Sequence, residues 1–500
     1  MAPTDPEIEA TDGVVWVTPA PAAGFLAQAE AIERLRIGLS AAAESVGCDA
    51  DIVAGGKSLL ALGLTARALD AFRLQPAGEL PRERQRHVFE VRYDGPDLET
   101  AASALGLRPE ALVRRHQAGS YTALLTGFLP GFAYLGGLDE TLALPRLPKP
   151  RARVPVGAVA IAGLLTAAYP FASPGGWNLI GRLSPELLFD VQRRPLSTIH
   201  ALDEVRFVER ETPWPEPSAA RVSPSRSQGA LMIEAVVGLA TIQDLGRFGQ
   251  RAEAVPWSGP LDEETHVAAN LAVGNDSHAA AIELVGGKLS FVAAKRLSVS
   301  IDGSAARTLR SGERLSVSVG DKLTRTIAIA GGVEVPLVLG SRSTLLLAGL
   351  GGFDGRPLRV GDWLEVGHEI VAAPLSTKPP ATSDRSRVAV LCVERARNDT
   401  RLSSDAFERL LDAHVTISAA RDRVGTRFDG DRLPARQADD ALPEPVVVGS
   451  IQVTTDGTLI ALGPDSAVTG GYPVVAVLDR ASRSLLGRLR PGQAVRFRAA

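Results

Sequence analysis

Gly157-Ala158-Val159-Ala160-Ile161 returns far down the chain as Gly449-Ser450-Ile451-Gln452-Val453. Each is a short run opened by glycine, continuously apolar in the first copy and alternating in the second, too brief for a core helix and suited to a strand. About twenty residues later each copy meets a Gly-Gly-aromatic turn, Gly175-Gly176-Trp177 and Gly470-Gly471-Tyr472. Each region then closes on the same strand, Val205-Arg206-Phe207 and Val495-Arg496-Phe497. Three matches in one order describe a β unit present twice, and short strands between glycine turns read as a barrel-like domain ending each half.

Working outward, helical spacing covers Gly24 to Arg36, Asp97 to Leu105, Pro109 to Gln117, Glu263 to Val273 and Asp405 to Asp412. Short Val/Ile/Leu runs fill much of the rest: Val88 to Tyr93, Leu297 to Ile301, Thr326 to Ala330, Val415 to Ser418 and Val446 to Val453. Gly320-Asp321 and Gly361-Asp362 suit hairpin turns. With 49 Gly and 34 Pro but only 14 Phe, 5 Tyr and 5 Trp, the cores must be aliphatic and the turns many. The class expected is α+β, mainly β. Proline-rich stretches mark linkers at 213–228 and 373–386. The resulting division is a small α/β subdomain over 1–94 and a barrel over 95–212. After the first linker come a β subdomain over 229–372 and a second over 387–500.

Charge and composition exclude several roles. Lys+Arg 54 against Asp+Glu 57 gives a net charge of −3, with no basic stripe interleaved with aromatics, so no nucleic acid is expected. The most apolar stretch, Val154 to Ala168, is too short to span a bilayer, and Met1 to Glu7 is acidic where a signal peptide is basic. A cytoplasmic protein without membrane contact is expected. Cys48 and Cys392 cannot build a disulfide framework and read as small buried hydrophobes; the histidines are scattered, so no metal site is expected. Gly56-Lys57-Ser58 copies the tail of a phosphate loop, but Asp51 stands where its first glycine belongs, which makes the loop structural.

Two segments concentrate chemistry. The first runs from Gly127-Phe128-Leu129-Pro130-Gly131-Phe132 through Arg146, Lys149, Arg151 and Arg153 to Arg182. Its cations are spaced by prolines that limit the entropy lost on ordering, which suits a bound carboxylate or phosphate. The second runs Thr241-Ile242-Gln243-Asp244-Leu245-Gly246-Arg247, then Trp257-Ser258-Gly259-Pro260-Leu261-Asp262, with Ser341-Arg342-Ser343-Thr344 further on. Asp262 opens a helix, as its N-cap or as a site carboxylate.

These residues resemble the allophanate hydrolase subunit 1 and subunit 2 (KipI–KipA type) families, fused in one chain. Gly95-Pro96-Asp97-Leu98, His116 and Tyr121 support the first, and Arg421-Asp422-Arg423-Val424-Gly425 with Thr469-Gly470-Gly471-Tyr472-Pro473 the second. Ala158 stands where the family usually has Ser, Val468 replaces a Thr, and Thr454-Thr455 replace a Pro pair. The resemblance implies cyclophilin-like β-barrel domains in two related halves. It also implies two components of a bacterial ATP-dependent 5-oxoprolinase, a hydrolase of a cyclic amide, acting with a separate first component. ATP with Mg is then the co-substrate, at a site the motifs do not place. Two other roles stay open: the carboxyltransferase of a biotin-dependent urea carboxylase-like enzyme, and a non-enzymatic regulator that binds a histidine kinase. Neither Met1 nor Met232 adjoins Lys, so covalent biotin on this chain is not expected, while a carrier in trans and a homo-oligomer stay open. Under the oxoprolinase reading Asp244 is the candidate base, with Arg247 and Asp262 as further catalytic candidates. Arg151, Arg153, Arg182, Gln243, Ser258, Ser341, Arg342 and Thr344 are the candidate substrate and anion contacts.

Overall fold

The computed structural model describes residues 6–11, 14–212, 214, 228–368, 388–397, 399–436 and 442–500. Both expected linkers fall almost wholly outside these residues.

The N-terminal unit is an antiparallel sheet ordered Glu7–Thr11, Val14–Thr18, Leu59–Leu62, Asp51–Ala54, joined by helices Phe25–Ser45 and Ala66–Leu74. Val15 and Val17 from the sheet bury against Ile32, Leu35 and Leu39 of the long helix and Phe72 of the second. The long helix passes the expected end at Arg36 and runs on to Ser45, because Leu39, Ala42 and Ala43 continue its buried face. Gly38 inside it has a packing reason: a Cβ there would lie 2.6 Å from the Pro76 carbonyl oxygen.

The next sheet has seven strands, ordered Asn178–Arg182, Ala158–Ala162, Leu165–Ala168, Ala133–Gly136, Tyr121–Thr126, Glu204–Glu209, Arg86–Val91, the last pair parallel. Arg86–Val91 thus belongs to this sheet although it precedes residue 95. Arg92 and Arg182 exchange both backbone hydrogen bonds at 2.9 Å, which rolls the two edges together. The C-terminal unit repeats the pattern as a closed barrel: Ala389–Arg395, Val474–Leu478, Ser450–Val453, Leu459–Leu462, Gly425–Gly430, Val415–Arg421, Ala494–Ala499. Again the first and last strands in sequence, Ala389–Arg395 and Ala494–Ala499, pair in parallel. The two quoted glycine-led strands take equivalent places, as do the two Val-Arg-Phe strands. The chain is α+β and mainly β, with one barrel closed and its counterpart nearly so.

Between them lies an eight-stranded sheet built on two 13-residue strands, Leu231–Gln243 and Ala281–Ala293. Its core is aliphatic, with Ile233, Ile242, Ile282, Leu284, Leu289 and Ile327 fully buried around Phe291. The Gly320-Asp321 turn does not close a hairpin. Arg314–Ser318 and Thr324–Ile329 pair with different stretches of Ala281–Ala293, because that strand is long enough to take both. Gly361-Asp362 likewise closes none, since Trp363–Val366 pairs with Leu231 and Met232 and with Val333–Glu334. Of the strand expected over Val446 to Val453 only Ser450–Val453 forms, and Gly449 at φ 92° breaks it. Both cysteines are free and only half buried, not core hydrophobes.

Candidate functional site

The polar residues of the long-stranded unit gather around one carboxylate. Gln243 ends the strand Leu231–Gln243 and Asp244 follows it. Asp244 Oδ1 accepts hydrogen bonds from Ser341 Oγ and Ser343 Oγ, both at 2.6 Å, and from the Gly246 N–H at 3.0 Å. Its Oδ2 accepts the Arg342 N–H. Gln243 Nε2 donates to Thr241 Oγ1 at 3.0 Å and to the Thr344 carbonyl at 3.2 Å. Thr344 Oγ1 donates in turn to the Ile242 carbonyl at 2.9 Å. Arg247 is fully buried, and its Nε and Nη2 donate to the Val338 and Ser343 carbonyls at 2.9 and 2.7 Å. Burial depresses the pKa of that guanidinium. Arg342 turns away to the Val335 carbonyl and Glu334.

Gln243, Asp244, Arg247, Ser341, Arg342 and Thr344 therefore form one cluster, but it ties the 338–344 loop to the strand end. Four donors hold the carboxylate of Asp244, three on Oδ1 and one on Oδ2, so that it anchors the loop. Arg247 gives Nε and Nη2 to carbonyls in the same way, while its buried Nη1 has no hydrogen-bond partner. Ser258 Oγ reaches this cluster through the Thr344 carbonyl at 2.8 Å and faces Asp465 Oδ1 at 2.9 Å. Its backbone sits at φ 60°, a left-handed conformation that costs a non-glycine residue about 1–3 kcal/mol.

Behind Ser258 lies a network of buried ion pairs. Arg423 bonds Asp465 twice, at 2.8 and 2.9 Å, reaches the Gly259 carbonyl, and pairs with Glu283. Glu283 also accepts the Leu261 N–H at 2.6 Å. Burial raises the Glu283 pKa while Arg423 opposes the rise, and the two buried carboxylates drive the Arg423 pKa upward. Asp262 caps the helix Glu263–Ala272 through the Thr265 N–H at 3.1 Å and pairs with Arg488 at 2.7 Å. Burial pushes its pKa up, against the pull of Arg488. Asp262 therefore acts as cap and cross-link, with no oxygen left free for proton transfer. Arg423, Asp465 and Glu283 are not among the candidate site residues, although Arg421-Asp422-Arg423 stands in a motif that carries the family resemblance.

In front of this network a cleft of about 350 Å³ opens between the long-stranded sheet and the closed barrel. Phe248 and Trp257 form an aromatic wall, their rings 5.3 Å apart at 60°. Arg421, Arg480 and Arg483 line it against Glu263 and Asp422, with Ser258 and Ser484 as hydroxyls. Arg421 donates to the Leu489 and Leu486 carbonyls at 2.7 and 3.2 Å, and burial lowers its pKa to about 10. Arg480 pairs with Glu263 and is mostly exposed.

The first-half cations are not brought to this cleft. Arg151 pairs with Asp97, whose other oxygen accepts the Leu179 N–H at 2.7 Å. Arg182 pairs with Asp94 at 3.0 Å, and Arg153 is exposed. Arg151 and Arg182 thus brace the barrel seam. His116 is fully buried between Tyr93 and Thr166, and burial lowers its pKa to about 3, making it a core residue.

The two halves meet through their glycine-rich signatures. The Phe128 N–H donates to Thr469 Oγ1 at 2.8 Å, with Phe128 itself at φ 66°. On the N-terminal unit, Ser58 Oγ donates to Glu444 Oε2 at 2.8 Å and the Gly56 N–H to the Pro443 carbonyl at 2.8 Å, so the phosphate-loop-like turn is a docking loop. Asp51 accepts from the Gly249 and Arg251 N–H groups and from Trp257 Nε1, at 3.0–3.1 Å. Among the described residues no group of three His, Cys, Asp or Glu is placed to hold a metal ion, and no helix is long and apolar enough to cross a membrane.

Comparison with known proteins agrees with this organisation. Residues 57–199 match the model of the carboxyltransferase domain, subdomains C and D, and residues 253–499 that of subdomains A and B. The chain is 46% identical over 114 residues to the B component of 5-oxoprolinase from Bacillus subtilis, covering 23% of this chain and 47% of that relative. It therefore spans about half the length of that curated relative. It is 32% identical over 272 residues to the C component of 5-oxoprolinase from Escherichia coli, covering 51% of this chain and 87% of the relative. Urea amidolyase of Lachancea kluyveri is 28% identical over 297 residues, 51% of this chain but 16% of that protein. The crystal structure of TTHA0988 superposes with a TM-score of 0.82 at 30% identity, covering 97% of this chain and 100% of the other. The chain belongs to the carboxyltransferase-domain family, with its C/D and A/B units carried in that order on one polypeptide.

Proposed function

We propose that this chain unites the B and C components of an ATP-dependent 5-oxoprolinase and opens 5-oxoproline to glutamate with a separate first component. The observation that carries the reading is that relatives of both components match one chain, whose two halves meet through their signature loops at Phe128 and Thr469. A lactam resists water because its amide is stabilised. ATP supplies the driving force by phosphorylating the amide oxygen. Water adds to the same carbon, and the C–N bond breaks as the nitrogen takes a proton. A second water hydrolyses the resulting acyl phosphate to glutamate and phosphate. This chemistry needs cations where phosphate charge develops and a dry, rigid surround.

The cleft beside Ser258 suits an anionic substrate carrying a flat ring. Arg480 and Arg483 offer charge, while Phe248 and Trp257 offer an apolar face. These groups fit a nucleotide's phosphates and base. With no cluster of three acidic or imidazole ligands among the described residues, Mg would rest chiefly on the phosphates themselves. Asp244, Arg247 and Asp262, with Gln243, Ser341, Arg342 and Thr344, act as positioning residues that hold Ser258 and the cleft loops. Arg151, Arg153 and Arg182 keep the barrel of the first half in shape and charge its surface.

The test mixes the purified chain with its first component, ATP, Mg²⁺ and 5-oxoproline and assays glutamate. Glutamate that needs both proteins and ATP is the expected result. No glutamate with a folded partner would sink the reading. The urea amidolyase similarity and the carboxyltransferase model favour a second reading, transfer from carboxyl-biotin on a carrier in trans. That reading expects carboxyl transfer to a small amide without ATP on this chain.

A further inference from the structure

A second cavity, of about 420 Å³, lies where three units meet. Its walls come from the helix Phe25–Ser45, the strands Asp51–Ala54 and Tyr121–Thr126, the segment around His200, and the turn Arg251–Glu253. Much of the wall is apolar, with Ile32, Ile52, Val53, Leu124 and Leu125. Its polar groups are unevenly matched. Arg36 binds Glu33 through Nε and Nη2, at 2.7 and 2.6 Å, so that pair is closed. Glu253 Oε2 accepts the Ser197 N–H at 3.3 Å.

Arg251 is different. It is 1% exposed, yet among the described residues no carboxylate contacts its guanidinium. Nη2 donates to the Val446 carbonyl, the group lies 5.1 Å from the centre of the Trp257 ring, and Nε has no partner. The nearby carboxylate, Asp51, is already filled by two backbone N–H groups and the indole N–H. His200 Nε2, on another wall, is also buried without a partner. An unpaired interior cation is strongly unfavourable, a penalty that an anion in the cavity would offset. The volume falls within the range of small-molecule pockets and is ample for an amino acid or its lactam.

We propose that this cavity binds a small carboxylic acid carrying an amide or amine N–H, of the size of an amino acid or its lactam. Its carboxylate pairs with Arg251, and its N–H group is accepted by Glu253. The site stands on Arg251 and its surroundings; the choice of 5-oxoproline and glutamate as probes rests on the proposed function.

The test is calorimetric titration of the full chain, without ATP or partner, with 5-oxoproline, L-glutamate and 2-pyrrolidinone, the lactam lacking the carboxylate. One of the two acids should bind at least tenfold more tightly than 2-pyrrolidinone. Arg251→Met should weaken that binding at least tenfold. Because Arg251→Met risks misfolding, Ala29→Leu, which fills the cavity from the helix and keeps the Arg251 side chain, should give the same loss in a protein whose thermal unfolding stays cooperative. Parent-like binding in a folded Ala29→Leu chain, or no binding of either acid at millimolar concentration, overturns the proposal. Turnover by the reconstituted complex is scored separately. Binding lost in the variants without turnover in the parent keeps the cavity and removes the oxoprolinase reading. Parent-like binding in the folded variants, with turnover by the parent complex, does the reverse.

Discussion

Arg423 holds both oxygens of Asp465 at 2.8 and 2.9 Å, with each side chain nearly sealed from water. The two residues sit on separate loops of the closed barrel, and Arg423 reaches out of it to Glu283 on the neighbouring sheet. One guanidinium thus neutralises two interior carboxylates and fixes the barrel against the sheet across the cleft.

Arg423→Met should therefore be among the most damaging single changes. It leaves Asp465 and Glu283 in the interior without their cation, at a cost of about 3–5 kcal/mol. Urea unfolding at pH 7 should show a midpoint shift of that size. A variant within about 0.5 kcal/mol of the parent would mean that water, not the ion pair, supports those loops.

The Asp244 anchor gives a second measurement. Asp244→Asn replaces an acceptor of four hydrogen bonds with an amide that cannot accept them all, and should cost about 3 kcal/mol. Ser341→Ala, which removes one of those donors, should cost roughly 1 kcal/mol. Equal effects from the two would contradict the anchoring role.

Gly351 tests the same loop by shape. It sits at φ 65°, and a Cβ would fall 2.1 Å from the Ser343 carbonyl oxygen and 2.6 Å from Arg247 Nη2. Gly351→Ala should destabilise by more than about 1 kcal/mol through strain and the displaced arginine. Thermal unfolding would show it, and an unchanged Tm would mean that the loop relaxes freely.

Glu444 gives a pH signature. Burial pushes its carboxyl up to about 7 from an ordinary 4.5, against the Ser58 hydroxyl and the Lys57 N–H, which pull it down. The folded chain keeps that proton between these values while the unfolded chain has lost it, so this group's contribution to stability falls as pH rises through that window. The fall is on the order of 3 kcal/mol, complete above pH 7. Glu444→Gln should flatten it, so that the variant gains on the parent between pH 5 and 8 in parallel urea titrations. Parallel curves would place Glu444 in water.

The contact between halves also makes a prediction. A protease site placed within 213–228 and cleaved should leave the two pieces together in gel filtration, held by the Phe128–Thr469, Ser58–Glu444 and Asp51–Trp257 contacts. Thr469→Val, which strands the Phe128 N–H, should weaken the cleaved pair by about 1–3 kcal/mol.

The duplicated barrel was readable because a strand is a local object. A short strand opened by glycine, a Gly-Gly-aromatic turn and a closing Val-Arg-Phe strand keep their order whatever surrounds them, and the structure seats both sets in equivalent strands. Most helix positions followed from spacing for the same reason, although Ala66–Leu74 and Arg480–Arg488 went unread. The polar loops too were legible as a group, since hydroxyls, acids and arginines without a period have no core face to fill. What each of them does was decided elsewhere. Asp244 reads as a base until Ser341 and Ser343, about a hundred residues away, fill its oxygens. Arg251 has no sequence mark of its own, and is buried because three units close over it. The sequence by itself determined the class, the repeat and the kinship. Tertiary structure alone decided which charges are paired, because hydrogen-bond saturation and desolvation depend on neighbours that the chain brings together only when folded.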